Sequence, residues 1–413
     1  MTRLGMQYAR LTDVCTLITD GTHFSPPSET CGDFLYLTSK NVREGALVLT
    51  NVSYVKSEIH ETIYSGCPVQ FGDVLFVKDG VNAGLTAINT LKEPFSMLSS
   101  VALLRPNDGK LDARFLMHWL NNPFTRRQML RNMSGAAIKR LVLGQIRETE
   151  ILLPPLAEQR LVAAIVDQAD DLRRKRREAS NQLSLLREAI YRDNFQKEGG
   201  KHWQKIELQF VARSDDDIKC GPFGTQLRQS EFRSSGVPLW GIKHVNAGFK
   251  SPTVEFLSEV KAAELVSYDI RSGDIVMTRK GTIGNCAIYP YGLSNGVMHS
   301  DLLRLRLDKS KCDPVFVASQ FQYSHDVSTQ LSLISGGAIM PGINVGRLKA
   351  LKIIAPPLDL QRAFAARIAE IDKLKVAHRA HLEKLNTLFA SLQDRAFRGE
   401  LTGQVAMVDA EFA

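Results

Sequence analysis

The feature that most constrains this chain is an internal repeat with a period of roughly two hundred residues. Residues 151–160 read ILLPPLAEQR, and residues 353–362 read IIAPPLDLQR. The match extends upstream. Ser134-Gly135-Ala136-Ala137-Ile138 pairs with Ser335-Gly336-Gly337-Ala338-Ile339, Gly72-Asp73-Val74-Leu75 with Gly273-Asp274-Ile275-Val276, and Lys40-Asn41-Val42 with Lys243-His244-Val245. Leu103-Leu104-Arg105 is aligned with Leu302-Leu303-Arg304, and Asp20-Gly21-Thr22-His23-Phe24 with Cys220-Gly221-Pro222-Phe223-Gly224. A period this long is too great for a solenoid, whose repeats run to a few tens of residues. It indicates a duplicated domain pair with an approximate two-fold relation between the copies. Identity is high at the two proline junctions and low between them.

Each Pro-Pro pair (Pro154-Pro155, Pro356-Pro357) closes an apolar, strand-like run and opens a segment free of glycine and proline, from Leu156 to about Phe195 and from Leu358 to about Phe397. Proline suits the first turn of a helix, where its missing N–H removes no bond. Glu158 and Asp359 fall in the first turn, where the helix dipole favours them. The spacing predicts two helices of about forty residues, each about 60 Å long. Their apolar stripes agree between copies: Val162/Phe364, Val166/Ile368, Ala169/Ile371, Leu172/Leu374, Leu183/Leu385, Leu186/Leu388 and Ile190/Leu392. In the second copy Phe364, Ile368, Ile371, Lys375, His378, Leu382, Leu385, Phe389, Leu392 and Ala396 hold the 4-3 alternation of a coiled-coil seam. A narrow stripe cannot sustain so long a helix alone, so the two helices are expected to pack on each other, antiparallel, as a spacer. The basic run 173–177 reads first as a solvated helix face, and His378 and His381 as seam-edge residues rather than metal ligands.

The 413 residues are enough for two to four domains. The segmentation predicted is a first globular region over 1–152, a central helix over 153–198, a second globular region over 199–354, a C-terminal helix over 355–400 and a tail over 401–413. No run of eighteen or so apolar residues occurs, so no membrane span is expected. MTRLGMQYARLTD lacks a signal-peptide core. Cys15, Cys31, Cys67, Cys220, Cys286 and Cys312 show no metal-binding spacing and read as reduced thiols of a cytoplasmic protein. The net charge of +8 suits a polyanionic partner.

Within the globular regions, Asp73–Lys78 and Asp274–Arg279 read as strands that end in a cation before a glycine turn, Asp79-Gly80 and Lys280-Gly281. That arrangement would present Lys78, Arg279 and Lys280 to phosphates. Lys139 and Arg140 follow a small-residue loop, and the second copy has Met340-Pro341 in their place. Thr22, His23, Lys40, Asn41, Phe223, Lys243 and His244 complete the candidate DNA contacts, being polar or planar groups suited to base edges and backbone. No GxxxxGK[ST] or GxGxxG motif occurs. Asn121-Asn122-Pro123-Phe124 has one proline where an adenine-methyltransferase tetrapeptide has two, and reads as structural. Asp112 and Asp313 read as helix caps. No paired-carboxylate or nucleophile–base site is apparent, so no catalytic and no metal residue is assigned.

Two divergent regions, each followed by an apolar-PPL-x-x-Q-R helix, closely resemble the specificity subunit of type I restriction-modification systems, over essentially the whole chain. The resemblance rests on Leu153–Arg160 and Ala355–Arg362 with their helices, on the Gly221-Pro222-Phe223-Gly224 turn and on the Ser-Gly-Ala loops. It implies an α+β fold. Two mixed α/β target recognition domains would be related by pseudo-two-fold symmetry and separated by two long helices in an antiparallel coiled coil. It implies a non-catalytic subunit that reads a bipartite, gapped, asymmetric target in double-stranded DNA. It also implies docking of two modification subunits, which carry S-adenosylmethionine and methylate adenine at N6, and of motor-nuclease restriction subunits using ATP and Mg. The chain itself would hold no cofactor and would work in a prokaryotic cytoplasm. The alternative is a coiled-coil scaffold or RNA-binding protein without sequence-specific DNA reading.

Overall fold

Strand runs such as Val74-Leu75-Phe76-Val77 and Ile275-Val276-Met277-Thr278 are apolar without alternation, so both faces must be covered. The computed structural model, which describes residues 7–131, 133, 140–196, 203–335 and 342–400, has them at the centre of two matching sheets. In the first, Val101–Pro106 lies between Cys15–Asp20 and Val74–Val77, and Thr86–Ile88 forms the far edge, all antiparallel. In the second, Leu302–Leu305 lies between Ile218–Cys220 and Ile275–Thr278, with Cys286–Ile288 outside. Val74 and Phe76 enter one core and Leu75 and Val77 another, as alternate side chains of a doubly covered strand should. A second, smaller mixed sheet accompanies each: Ser53–Val55, Phe34–Leu37 and Ser96–Met97 in one copy, and Phe256–Leu257, Val237–Trp240, Gly296–Met298 and Asp269–Ile270 in the other. Two-stranded ladders, Gln7–Arg10 with Glu150–Leu153 and Lys205–Glu207 with Lys352–Ile354, lead into the long helices. The class is the expected α+β.

The chain divides into two units: residues 1–177 with 380–413, and residues 178–379. The helices run from Leu156 to Phe195 and from Leu358 to Phe397, so each gives one half to each unit. In unit 1, Val162, Ala163, Val166 and Ala169 share a core with Phe389, Leu392 and Ala396. In unit 2, Leu183, Ile190 and Tyr191 pack with Phe364, Ile368 and Ile371. Early residues of one helix meet late residues of the other within each unit, so the pairing is antiparallel. The ten-residue series from Phe364 to Ala396 is buried or half-buried throughout. Four leucines assigned to the seam are not in it. Leu172, Leu186, Leu374 and Leu388 are exposed, because the inward positions one residue further on belong to Arg173, Arg187, Lys375 and Phe389. The stripe read from apolar residues alone was about 100° out at these places.

Two devices fix the frame in both copies. Gly72 and Gly273 share φ 90°, and the following Asp73 and Asp274 accept the N–H of Gln70 (2.7 Å) and Arg271 (2.8 Å). Each aspartate also receives a two-pronged guanidinium, Arg105 at 2.8 and 2.8 Å and Arg306 at 2.9 and 2.7 Å. The counterpart of Arg105 is therefore Arg306 and not Arg304. The Leu-Leu-Arg alignment was two residues out of register. The second device is the junction glutamine. Gln159 is fully buried, accepts the Asp112 N–H at 2.9 Å, and donates to the Lys110 and Pro154 carbonyls. Gln361 repeats this with the Asp313 N–H (3.0 Å) and the Pro356 carbonyl (2.8 Å). Asp112 and Asp313 cap the next helices as expected. No helix among the described residues is long and apolar enough to cross a membrane.

Candidate nucleic-acid interface

In each unit a glycine turn ends the edge strand of the larger sheet and lies on the segment that leaves the smaller one. The Gly21 N–H donates to the Val101 carbonyl, and the Thr22 N–H to that of Met97 at 2.8 Å. A Cβ on Gly21 would sit 2.0 Å from the Met97 oxygen, and one on Gly221 would sit 2.2 Å from that of His299, so neither position accepts a side chain. Each turn then turns an aromatic ring outward: Phe24, 51 % exposed, and Phe223, 47 % exposed. Only Phe223 was singled out from the sequence. Phe24 comes three residues after its glycine and Phe223 two after its own, so the signal for Phe24 was an aromatic residue just past the shared glycine turn.

The cations that follow the central strands differ between copies. Lys78 is buried and paired with Asp20, which also lies 3.2 Å from His23 Nε2. It is not an exposed phosphate contact, because a buried ammonium must keep its carboxylate. Arg279, at the matching place, is half-buried. Its Nε donates to the Ile343 carbonyl at 2.9 Å, and its guanidinium lies 4.7 Å from the centre of the Phe223 ring. Gly80 and Gly281 adopt φ 73° and 68°, so the predicted tight turns are present.

Two further assignments are corrected. Asn41 is buried, accepting the Thr38 N–H at 3.0 Å and donating to the Val48 carbonyl at 3.0 Å, so it shapes a turn. His244 is wholly buried against Trp240, and its Nδ1 accepts the Gly241 N–H at 3.0 Å. Burial lowers its pKa below the usual histidine value, so the ring stays neutral at physiological pH and offers nothing to DNA. Lys40, Lys243 and His23 are exposed, and Thr22 is half-buried with its hydroxyl accepting the Phe24 N–H. Arg140 is exposed and bridges by its backbone to Asp79. Lys280 pairs with Asp301 at 3.1 Å. Lys139 lies outside the described residues. Sequence reading passed over Asp20, Asp301 and Asn246, which hold these turns through Lys78, through Lys280, and through Thr282 (2.9 Å) and Asn285 (2.7 Å). Nothing in their spacing marks them, since their partners are tens of residues away.

These turns carry a half-buried guanidinium, Arg279, against the exposed Phe223 ring, a second exposed ring at Phe24, and the exposed side chains of His23, Lys40, Arg140 and Lys243. Such groups can bind phosphates and stack on bases or sugars. The Asn121-Asn122-Pro123-Phe124 segment is structural: Asn121 exchanges two hydrogen bonds with the Thr86 backbone, and Asn122 caps the helix that starts at Pro123. Burial pushes the Cys15, Cys67, Cys286 and Cys312 thiols up to about 12. Among the described residues, no group of three or more His, Cys, Asp or Glu is placed to hold a metal ion.

Comparison with known proteins agrees with this arrangement. The family model described as type I restriction modification DNA specificity domain matches twice, over residues 4–183 and 218–387. The type I restriction enzyme EcoKI specificity subunit of Escherichia coli (strain K12) is 24% identical over 394 residues, covering 90% of this chain and 83% of that one. The MjaVIII specificity subunit of Methanocaldococcus jannaschii is 24% identical over 392 residues, covering 90% and 86%. Among solved structures, the type I restriction-modification S subunit from M. genitalium superposes with a TM-score of 0.59 at 14% identity, covering 96% of this chain and 97% of that one. A chain from a type I R-M system, solved for its complex assembly and conformational transition, gives 0.57 at 18% identity, covering 96% and 99%.

Proposed function

The chain belongs to the type I restriction-modification DNA specificity family, and from that premise we propose that it reads a bipartite, gapped, asymmetric DNA target and holds partner subunits on it. The observation that carries this reading is a constant frame around variable contents. The Gln159 and Gln361 joints and the two Gly-Asp-Arg clamps are the same in both copies. The turns that present side chains differ: Lys78 is locked to Asp20, whereas Arg279 lies on Phe223. Two similar modules with different reading surfaces suit two different half-sites. In this reading residues 1–152 and 199–354 are the target recognition domains, and 153–198 and 355–400 are the spacer helices whose length sets the gap. Exposed Lys40, Arg140 and Lys243, with half-buried Lys280 and Arg279, would supply affinity and register, while Phe24 and Phe223 would contribute to sequence or shape reading.

The same helices would dock two modification subunits, which would bring S-adenosylmethionine and transfer its methyl group to adenine N6. Restriction subunits would bring ATP, Mg and the motor and nuclease activities. This chain would supply recognition and geometry and no reacting group.

The test is a genome-wide map of N6-methyladenine in a host carrying the chain with a cognate modification subunit, with and without the gene for this chain. Loss of one two-part, gapped motif is the expected result. An unchanged map, with the partner subunit present and bound, would overturn the reading.

A further inference from the structure

One position of the helix pair is solved differently in the two units. In unit 1 Arg173 points inward: Nε donates to Asn386 Oδ1 (3.0 Å), one terminal nitrogen donates to Asp170 (2.9 Å) and lies 3.9 Å from Glu44, and the guanidinium lies 3.9 Å from the Phe389 ring centre. One cation thus has two carboxylates and an aromatic face. An offset of 202 converts these helix residues to Lys375, Ser184, Asp372 and Arg187 in unit 2. The geometry is kept, with Lys375 Nζ donating to Ser184 Oγ at 3.0 Å and Arg187 to Asp372 at 3.1 Å. The charge is not. The aromatic ring has become a second cation, and the globular region contributes Lys250 where unit 1 contributes Glu44.

Lys250 and Lys375 therefore both lie in the fields of Arg187 and Arg379, with Asp372 as the carboxylate that acts on each of them and pairs with Arg187 at 3.1 Å. Partial desolvation and the fields of Arg379 and Arg187 hold Lys250 below its usual pKa, and Lys375 is lowered in the same way. Arg187 Nε is buried and has no hydrogen-bond partner. Lys250 follows Phe249, a bulky residue at φ 59° whose ring is fixed between Trp240 and Tyr289. A left-handed backbone at such a residue is strained and persists only when its surroundings enforce it. A surplus of cations, an orphaned donor and an enforced backbone meet at one place.

We infer that Arg187, Lys250, Lys375 and Arg379 form an oxyanion site in unit 2 that takes a phosphate group, and that unit 1 has no such site. The phosphate supplies the missing acceptors: one for Arg187 Nε, and others for the two ammonium groups and Arg379. Its source is either the DNA backbone or free phosphate, and these are separable.

The full chain is titrated with inorganic phosphate against chloride at matched ionic strength, by thermal shift and calorimetry. Lys250→Glu changes an exposed residue to the charge found in unit 1, and Arg187→Phe imports the residue that unit 1 uses at the same position, so both should fold. Phosphate should bind and stabilise the wild type, and each variant should bind it at least about tenfold more weakly. No phosphate-specific stabilisation in the wild type, or equal binding in all three proteins, overturns the site. The salt dependence of binding to non-cognate duplex then identifies the source. A slope lower by about one in the variants means a DNA phosphate, whereas an unchanged slope with phosphate binding lost means a free one. The phosphate titration contains no DNA, so its outcome is independent of whether the chain reads a gapped target.

Discussion

The side-chain oxygen of Gln159 accepts the backbone N–H of Asp112, the residue whose carboxylate caps the helix over Ala113–Asn121. One amide thus ties the first turn of a long helix to the start of a core helix, and Gln361 and Asp313 repeat the tie. Gln159→Ala should leave the Asp112 N–H and two carbonyls without partners and cost about 1–3 kcal/mol. Gln159→Glu should fare no better, because it turns two donors into acceptors facing carbonyls. Chemical denaturation of both variants checks this, and wild-type midpoints would refute the role.

Lys78 and Asp20 form a buried pair, each side chain 7% exposed. Lys78→Ala should destabilise unit 1 by about 3–5 kcal/mol by stranding the carboxylate. Removing both charges, as Asp20→Asn with Lys78→Met, should recover part of that loss. A double-mutant cycle on unfolding free energy reads the coupling, and additive single effects would mean that the pair is not formed.

Arg279 and Phe223 are expected to act on DNA in different ways. Arg279→Ala should weaken binding and lower the salt slope by about one if the guanidinium meets a phosphate. Phe223→Ala should weaken cognate binding with the slope unchanged, because a ring releases no counterion. Binding isotherms at four or five salt concentrations, for cognate and scrambled duplex, separate the two.

Leu172 and Leu388 lie exposed in unit 1, and their repeat mates Leu374 and Leu186 lie exposed in unit 2. Leu172→Glu and Leu374→Glu should change stability by no more than about 0.5 kcal/mol and should each weaken assembly with a modification subunit. Val166→Glu, in the core, should unfold unit 1 instead. Thermal unfolding and pull-down stoichiometry distinguish these outcomes.

Cys31 is exposed, whereas Cys67, Cys286 and Cys312 are buried with thiols pushed up to about 12. Alkylation at pH 8 should label Cys31 well before these three, as read by mass spectrometry. Because the folded thiols titrate above the usual value of 9.0, their contribution to stability is whole below about pH 9 and is lost as pH rises towards 12. An alkaline unfolding transition that does not move when Cys286 and Cys312 become serine or alanine would contradict this.

The sequence by itself determined the duplication, the two long helices, the strands before Gly80 and Gly281 and the caps at Asp112 and Asp313. Each is set by local chemistry: proline at a helix start, glycine at positive φ, a 4-3 stripe, an aspartate before a helix. Tertiary structure alone decided what each cation does. Lys78 and Arg279 occupy equivalent positions, yet one is buried against Asp20 and the other lies on Phe223, because their partners arrive from 58 and 56 residues away. The same holds for Arg173 and Lys375, for Asn41 and for His244. Burial and pairing are properties of the packed neighbourhood, and neither can be read from a side chain's own segment. Register shows the same division. Arg306 rather than Arg304 matches Arg105 because strand pairing, and not residue identity, sets which guanidinium reaches the aspartate.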